Sequence, residues 1–196
     1  LVAKEIDTLI KVFQFYLPHT TKKDWAWYRA ASGRFMWNKI DTEYQQELTG
    51  MAEGLRAKGM KYDSLDLVVL NANIDLSSYY LPMLENQAKP GSGDNKAPGN
   101  CSAFIATGKY TKDGKIVMGH NNWTDYIEGE RWNVIADIQP EKGNHFIMDC
   151  APGFIHSGDD FVVSKSGILI TETTITQFKG FDTTKAPEFS RARKAA

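Results

Sequence analysis

Asn100-Cys-Ser-Ala-Phe-Ile-Ala-Thr-Gly-Lys-Tyr-Thr-Lys-Asp-Gly-Lys-Ile-Val-Met-Gly-His-Asn-Asn-Trp-Thr-Asp125 is the stretch on which the reading of this chain turns. Cys101 opens an apolar run, Asp113-Gly114 supplies a tight turn, and a second apolar run ends among polar and aromatic side chains. The pattern predicts a β-hairpin with a thiol at its start. Antiparallel pairing sets the beginning of one strand beside the end of the next, so Cys101 should stand level with His120, Asn121, Asn122 and Trp123.

Residues 88–100, just upstream, are glycine, proline and small polar residues that cannot bury a core, and they predict an exposed flexible linker. A flexible segment that ends abruptly at a thiol has the form of a cleavage site. Further upstream, Ile6, Leu9, Ile10, Phe13 and Leu17 recur at helical spacing until Pro18, which should end the helix. Residues 22–38 carry Trp25, Trp27, Tyr28, Phe35 and Trp37, whose ordinary reading is core packing. Asp41 can cap a helix with Tyr44, Leu48, Met51 and Leu55 on one face and Gly59 after its last turn. A third helix is expected from Ser64, facing inward through Leu65, Val68, Val69 and Ala72, although Val68-Val69 would also suit a strand.

Downstream of Cys101 the chain changes character. Short strands are expected at 102–110, 115–120, 132–138, 145–149, 161–164 and 168–174, with turns at Asp113-Gly114, Lys142-Gly143-Asn144, Pro152-Gly153 and Ser166-Gly167. Loops this short cannot carry parallel crossovers, so the sheet should be antiparallel. The chain is thus expected to be α+β, with a helical part over 1–100 and a strand-rich part over 101–196.

The 196 residues carry a net charge of −1, without the basic excess a nucleic-acid or anionic-membrane partner needs. No apolar run is long enough for a membrane span, so no integral membrane association is expected. Two cysteines are too few for a disulfide framework. The chain opens on Leu1 and stops at Ala196 without a clear final element, as a piece of a longer polypeptide would.

Cys101 has three readings: a small buried hydrophobe, a partner for Cys150, or a nucleophile. The linker before it favours the third. If the Asn100–Cys101 bond is cut, Cys101 gains an α-amine of pKa roughly 7.7 to 8 beside a thiol of about 8.5, so one residue supplies both base and nucleophile. The same sulfur could attack the Asn100 carbonyl and cut the chain before itself, given donors for the oxyanion. His120 alone would be a structural histidine. Its neighbours Asn121, Asn122, Trp123 and Asp125 form a polar and aromatic group able to bond the Cys101 amine or a substrate carbonyl. His19, His120, His145 and His156 show no zinc-ligand spacing, so no metal or other cofactor is expected. Thr171-Glu-Thr-Thr174 reads as ordinary strand surface.

Four motifs, Cys101-Ser-Ala-Phe, Gly119-His-Asn-Asn-Trp, Ala151-Pro-Gly-Phe-Ile-His-Ser-Gly-Asp-Asp-Phe161 and Gly167-Ile-Leu-Ile-Thr-Glu-Thr-Thr-Ile175, occur in this order. Together they resemble the phospholipase B-like (laminin ancestor) family, within the self-processing cysteine N-terminal-nucleophile (Ntn) hydrolases related to isopenicillin N acyltransferase. Tyr44-Gln-Gln-Glu-Leu-Thr-Gly-Met-Ala-Glu-Gly54 and Leu67-Val-Val-Leu-Asn-Ala-Asn73 resemble the helical pro-region of that acyltransferase group.

The resemblance implies a four-layer αββα sandwich and a precursor that cuts itself between Asn100 and Cys101. It makes Cys101 the nucleophile, sets His120, Trp123 and Thr174 in the active-site pocket, and keeps Asn121 and Asn122 close by. The family also uses an asparagine and an arginine that find no counterpart before Ala196. The chain is therefore expected to hold the pro-region and the first half of the catalytic domain, with the remainder of its own chain after Ala196 as partner. Family habit implies export to a periplasm, the outside or a lysosome-like organelle, and a small acyl amide or lipid as substrate. The rival readings are a noncatalytic binding or storage protein with an uncut linker, and a thiol protease using a Cys101–His120 pair without self-cleavage.

Overall fold

The computed structural model describes residues 2–88, 101–157, 161–171 and 180–196. The chain is mixed helix and sheet, as the sequence pattern predicts. Most of the expected linker, and the end of the expected strand at 168–174, lie outside the described residues.

Helix α1 spans Ala3–Thr21 and buries Ile6, Leu9, Ile10, Phe13 and Leu17, the face expected from their spacing. Pro18 does not end it. Pro18 falls in the last turn, where the Thr20 and Thr21 hydroxyls bond back to the carbonyls of Tyr16 and Leu17 at 3.1 and 2.7 Å. Lys22, in the left-handed conformation, then closes the helix by donating its N–H to Pro18 O. Helix α2 (Trp25–Ala31) is capped by the Asp24 carboxylate, which accepts from the Trp27 N–H at 2.8 Å, and runs on through a π turn and a 3-10 turn to Lys39. Tyr28 is fully buried, and Trp25, Trp27, Phe35 and Trp37 pack against the same core. The aromatic stretch is thus structural.

Helix α3 (Thr42–Ala57) buries Tyr44, Leu48, Ala52 and Leu55, with Gly59 at φ 82° just beyond it. Asp41 occupies the cap position through its carbonyl, but its carboxylate does not cap; it pairs with Lys194 Nζ at 2.9 Å. Helix α4 (Ser64–Asn71) is opened by a capping box in which Asp63 and Asp66 exchange side-chain-to-backbone bonds. Residues Asp66, Leu67, Val68, Val69, Leu70 and Asn71 are buried in succession, so α4 lies inside the fold instead of presenting one face. A π turn (Asp75–Tyr80) and α5 (Leu81–Ala88) complete the helical layer.

Strands β1 (Ser102–Gly108) and β2 (Gly114–Asn121) form the expected hairpin. After a short helix α6 (Tyr126–Gly129), β3 (Val134–Ile138), β4 (Phe146–Cys150), β5 (Val162–Ser164) and β6 (Leu169–Ile170) make a four-stranded antiparallel sheet in sequence order. Alternation decides its two faces. Phe146, Met148, Cys150 and Val162 face the helices and join their core, while Ile135, Ile147 and Val163 point away and are exposed. Helix α7 (Glu188–Ala195) packs back through Phe189.

Between β4 and β5 the loop from Ala151 to Ser157 is buried throughout, an unusual position for irregular backbone. Two of its backbone groups are met by Asn71 of α4. The Asn71 amide donates to Gly153 O and its oxygen accepts from the Ile155 N–H, both at 2.9 Å. The core therefore crosses position 100, with helices from before it and strands from after it in one cluster.

Candidate active site

Hairpin register fixes where the thiol stands. Ser102 pairs with Asn121 and Ala103 with His120. Directly paired residues share a face and neighbours alternate, so Cys101, Ala103, His120 and Asn122 belong to one face, and Ser102 and Asn121 to the other. The contact that follows is present: Cys101 Sγ lies 3.9 Å from Asn122 Oδ1. Cys101 is half-buried and Cys150 is buried, and no disulfide joins them, so the disulfide alternative is not realised.

His120 is half-buried on the thiol's face, its Nε2 enclosed and without a hydrogen-bond partner among the described residues. Asn121 points from the opposite face. Trp123, in the loop after β2, is 69% exposed. Asn100 and Thr174 lie outside the described residues.

Asp125 is bonded to α1. Its carboxylate accepts a hydrogen bond from the Tyr16 hydroxyl of α1, and its carbonyl accepts from the Glu128 and Gly129 N–H groups at 3.0 and 2.9 Å, starting α6. The loop's other acid, Glu128, accepts from the Thr124 hydroxyl at 3.0 Å, and burial pushes its carboxyl up from the ordinary range. Burial together with the Asp125 carboxylate pushes the Tyr16 phenol up, so it remains a donor at neutral pH. Tyr16 carried no signal of its own in sequence beyond an apolar ring in an amphipathic helix.

The arrangement offers a partly accessible thiol, an amide oxygen facing it, an unpaired imidazole nitrogen on the same face and a buttressed loop. Two cavities lie elsewhere. One of about 20 Å3 sits beside His156 and Arg193, and one of about 190 Å3 lies between α1 and Arg131, Asn133 and Pro152. No group of three or more His, Cys, Asp or Glu converges among the described residues in a way that could hold a metal ion. No helix among them is long and apolar enough to cross a membrane.

A family model described as Phospholipase B matches residues 8–188. An uncharacterized protein of Archaeoglobus fulgidus is 29% identical over 136 residues, 67% of this chain and 21% of its own length. A protein of Rattus norvegicus provisionally named phospholipase B-like 2 is 31% identical over 121 residues, 57% of this chain and 20% of its own. Phospholipase B-like protein C of Dictyostelium discoideum is 28% identical over 145 residues, 66% of this chain and 25% of its own. The chain thus spans about a fifth to a quarter of the curated relatives it matches. No solved structure gives a significant match.

Proposed function

The chain belongs to the phospholipase B family, and from that premise we propose that it is the thiol-bearing part of a hydrolase that cleaves an acyl amide or acyl ester through a thioester on Cys101. The observation that carries this reading is the hairpin register, which sets the half-buried Cys101 thiol against Asn122 and on the same face as His120. The Asn122 amide and the His120 ring are suited to hold an α-amine or polarise a carbonyl beside the sulfur.

Maturation precedes turnover in this proposal. The Cys101 sulfur attacks the Asn100 carbonyl carbon, the C–N bond to Cys101 breaks, and the departing nitrogen takes a proton to become the α-amine. Water then resolves the thioester, leaving a carboxylate on Asn100 and a free thiol. In turnover the α-amine takes the thiol proton and later returns it to the leaving group. Phospholipid esters follow from the family's name, and linear acyl amides suit the same chemistry.

An αββα sandwich is the architecture proposed for the whole protein. Two features support it: the four-stranded sheet has one face on helices and an apolar face in the open. The hairpin also carries apolar residues on both faces, Ile105 and Ile116 on one and Phe104 and Val117 on the other, all exposed.

Intact-mass analysis with N-terminal sequencing tests the central step. Expected are two fragments, the second beginning at Cys101, and a single uncut chain for Cys101→Ala. A wild-type chain that folds and stays whole overturns the self-processing reading. If that uncut chain turns over substrate with a His120-dependent rate, it is a thiol protease instead.

A further inference from the structure

Among the described residues, the hairpin that carries Cys101 is fastened to the rest of the molecule at one end. Strands β1 and β2 touch each other along their length and the other described elements only marginally, and Phe104, Ile105, Ile116 and Val117 are exposed. Among the described residues, the hairpin is joined to the helical layer through the segment leaving β2, from Asn122 to Gly129. That segment packs on α1, and its polar fastening to α1 is the Tyr16–Asp125 hydrogen bond. Three residues before Asp125 stands Asn122, the side chain that faces the Cys101 sulfur.

We infer that Tyr16 is a positioning residue of the thiol site: by holding Asp125 it fixes the 122–125 loop, and so sets Asn122 against Cys101. The inference rests on the reading of Cys101 as the reactive residue, but it concerns geometry and is read without turnover. Asp125 is accordingly a strut, and the substrate contact expected of it passes to its neighbours. Thr124 and Glu128, bonded to each other across the first turn of α6, stiffen the same segment from its other side.

A second tyrosine provides the control. Tyr62 donates to Asp7 Oδ1 at 2.8 Å, the same kind of bond to α1, away from the hairpin. Tyr16→Phe and Tyr62→Phe therefore lose the same chemistry at different places. The measurement is the rate of iodoacetamide alkylation at Cys101 in the full chain between pH 6 and 9, located by peptide mass. A loosened loop changes the groups that face the sulfur, so Tyr16→Phe should move the alkylation rate on the order of tenfold and displace its pH midpoint. Tyr62→Phe should leave both unchanged.

Asp125→Ala, which removes the acceptor, should reproduce the Tyr16→Phe effect, and the double variant should be no worse than either single one, because both remove one contact. The Asp125→Ala arm also serves if Tyr16→Phe does not fold. An unchanged Cys101 profile in Tyr16→Phe, an equal change in Tyr62→Phe, or additive effects in the double variant each overturn the inference. A chain that never cleaves before Cys101 overturns the proposed maturation and leaves this reading of the loop standing or falling on the alkylation data alone.

Discussion

Two buried residues set opposing pH dependences. Asp75 sits inside the helical layer, where its Oδ2 accepts the Glu188 N–H at 2.7 Å and burial pushes its carboxyl up from 3.8 to about 6. His156 is wedged between Phe154 and Phe189, with ring centroids 5.3 and 5.9 Å away, and burial pushes it down from 6.5 to about 4. Between about pH 4 and 6 the folded state holds an extra proton at Asp75, so that residue's contribution falls as pH rises. Over nearly the same range it lacks a proton at His156, so stability from that residue falls as pH drops. Each effect amounts to about 3 kcal/mol at its full extent, and in the parent chain they offset each other. Asp75→Asn, which keeps an oxygen for the Glu188 N–H, should expose the histidine, so that stability rises steeply from pH 4 to 6. His156→Phe should expose the opposite slope. Urea denaturation across that range checks both; variant curves parallel to the parent's would remove this account of the two residues.

Local pattern and long-range partner divide what could be read at the level of elements. The buried face of α1, the Gly59 stop, the hairpin and each strand of the four-stranded sheet follow from spacing and turn residues, because they depend on neighbours a few positions away. The position of Cys101 beside Asn122 was legible for the same reason, since one turn determines it. Pro18 within α1 and Asp41's bond to Lys194 were not legible, because hydroxyl back-bonds and a partner from α7 decide them. Tyr16 and Asp125 stand 109 positions apart, and no periodicity links them. Asn71 belongs with these. An asparagine ending a buried helix was visible in sequence, yet its work, satisfying Gly153 and Ile155 in a buried loop, needs the fold. Asn71→Ala leaves a carbonyl and an N–H enclosed without partners, and should cost about 2 to 4 kcal/mol of unfolding free energy with an unchanged denaturant slope. Gly153→Ala attacks the same joint from the other side: φ is +87° there, and a Cβ would stand 2.9 Å from Leu70 Cδ2 and 3.2 Å from Ile6 Cγ2. A loss below about 1 kcal/mol in Asn71→Ala would mean the loop finds other partners.

For the molecule as a whole, the shared core determines what a cut before Cys101 can do. Helices from before residue 100 cover the sheet that follows it, and the two parts are also bonded through Asn71 to the buried loop, Asp75 to Glu188, Glu47 to Arg193 and Asp41 to Lys194. Separating them would divide the one cluster that holds Ile6, Leu9 and Leu70 from before the cut with Phe146, Met148, Cys150 and Val162 from after it. Such an interface is a domain core divided in two, and it behaves as an obligate one. Cleavage at Asn100–Cys101 should therefore change the covalent chain and leave the fold in one piece. Denaturing electrophoresis should show two bands where native size exclusion shows one species, and the fragments should part only at denaturant concentrations that also abolish the helical signal. If the amino-terminal fragment elutes alone under native conditions, the core does not bridge the cut. Tyr16 would then leave with it, and the strut proposed for the thiol loop could act only before maturation.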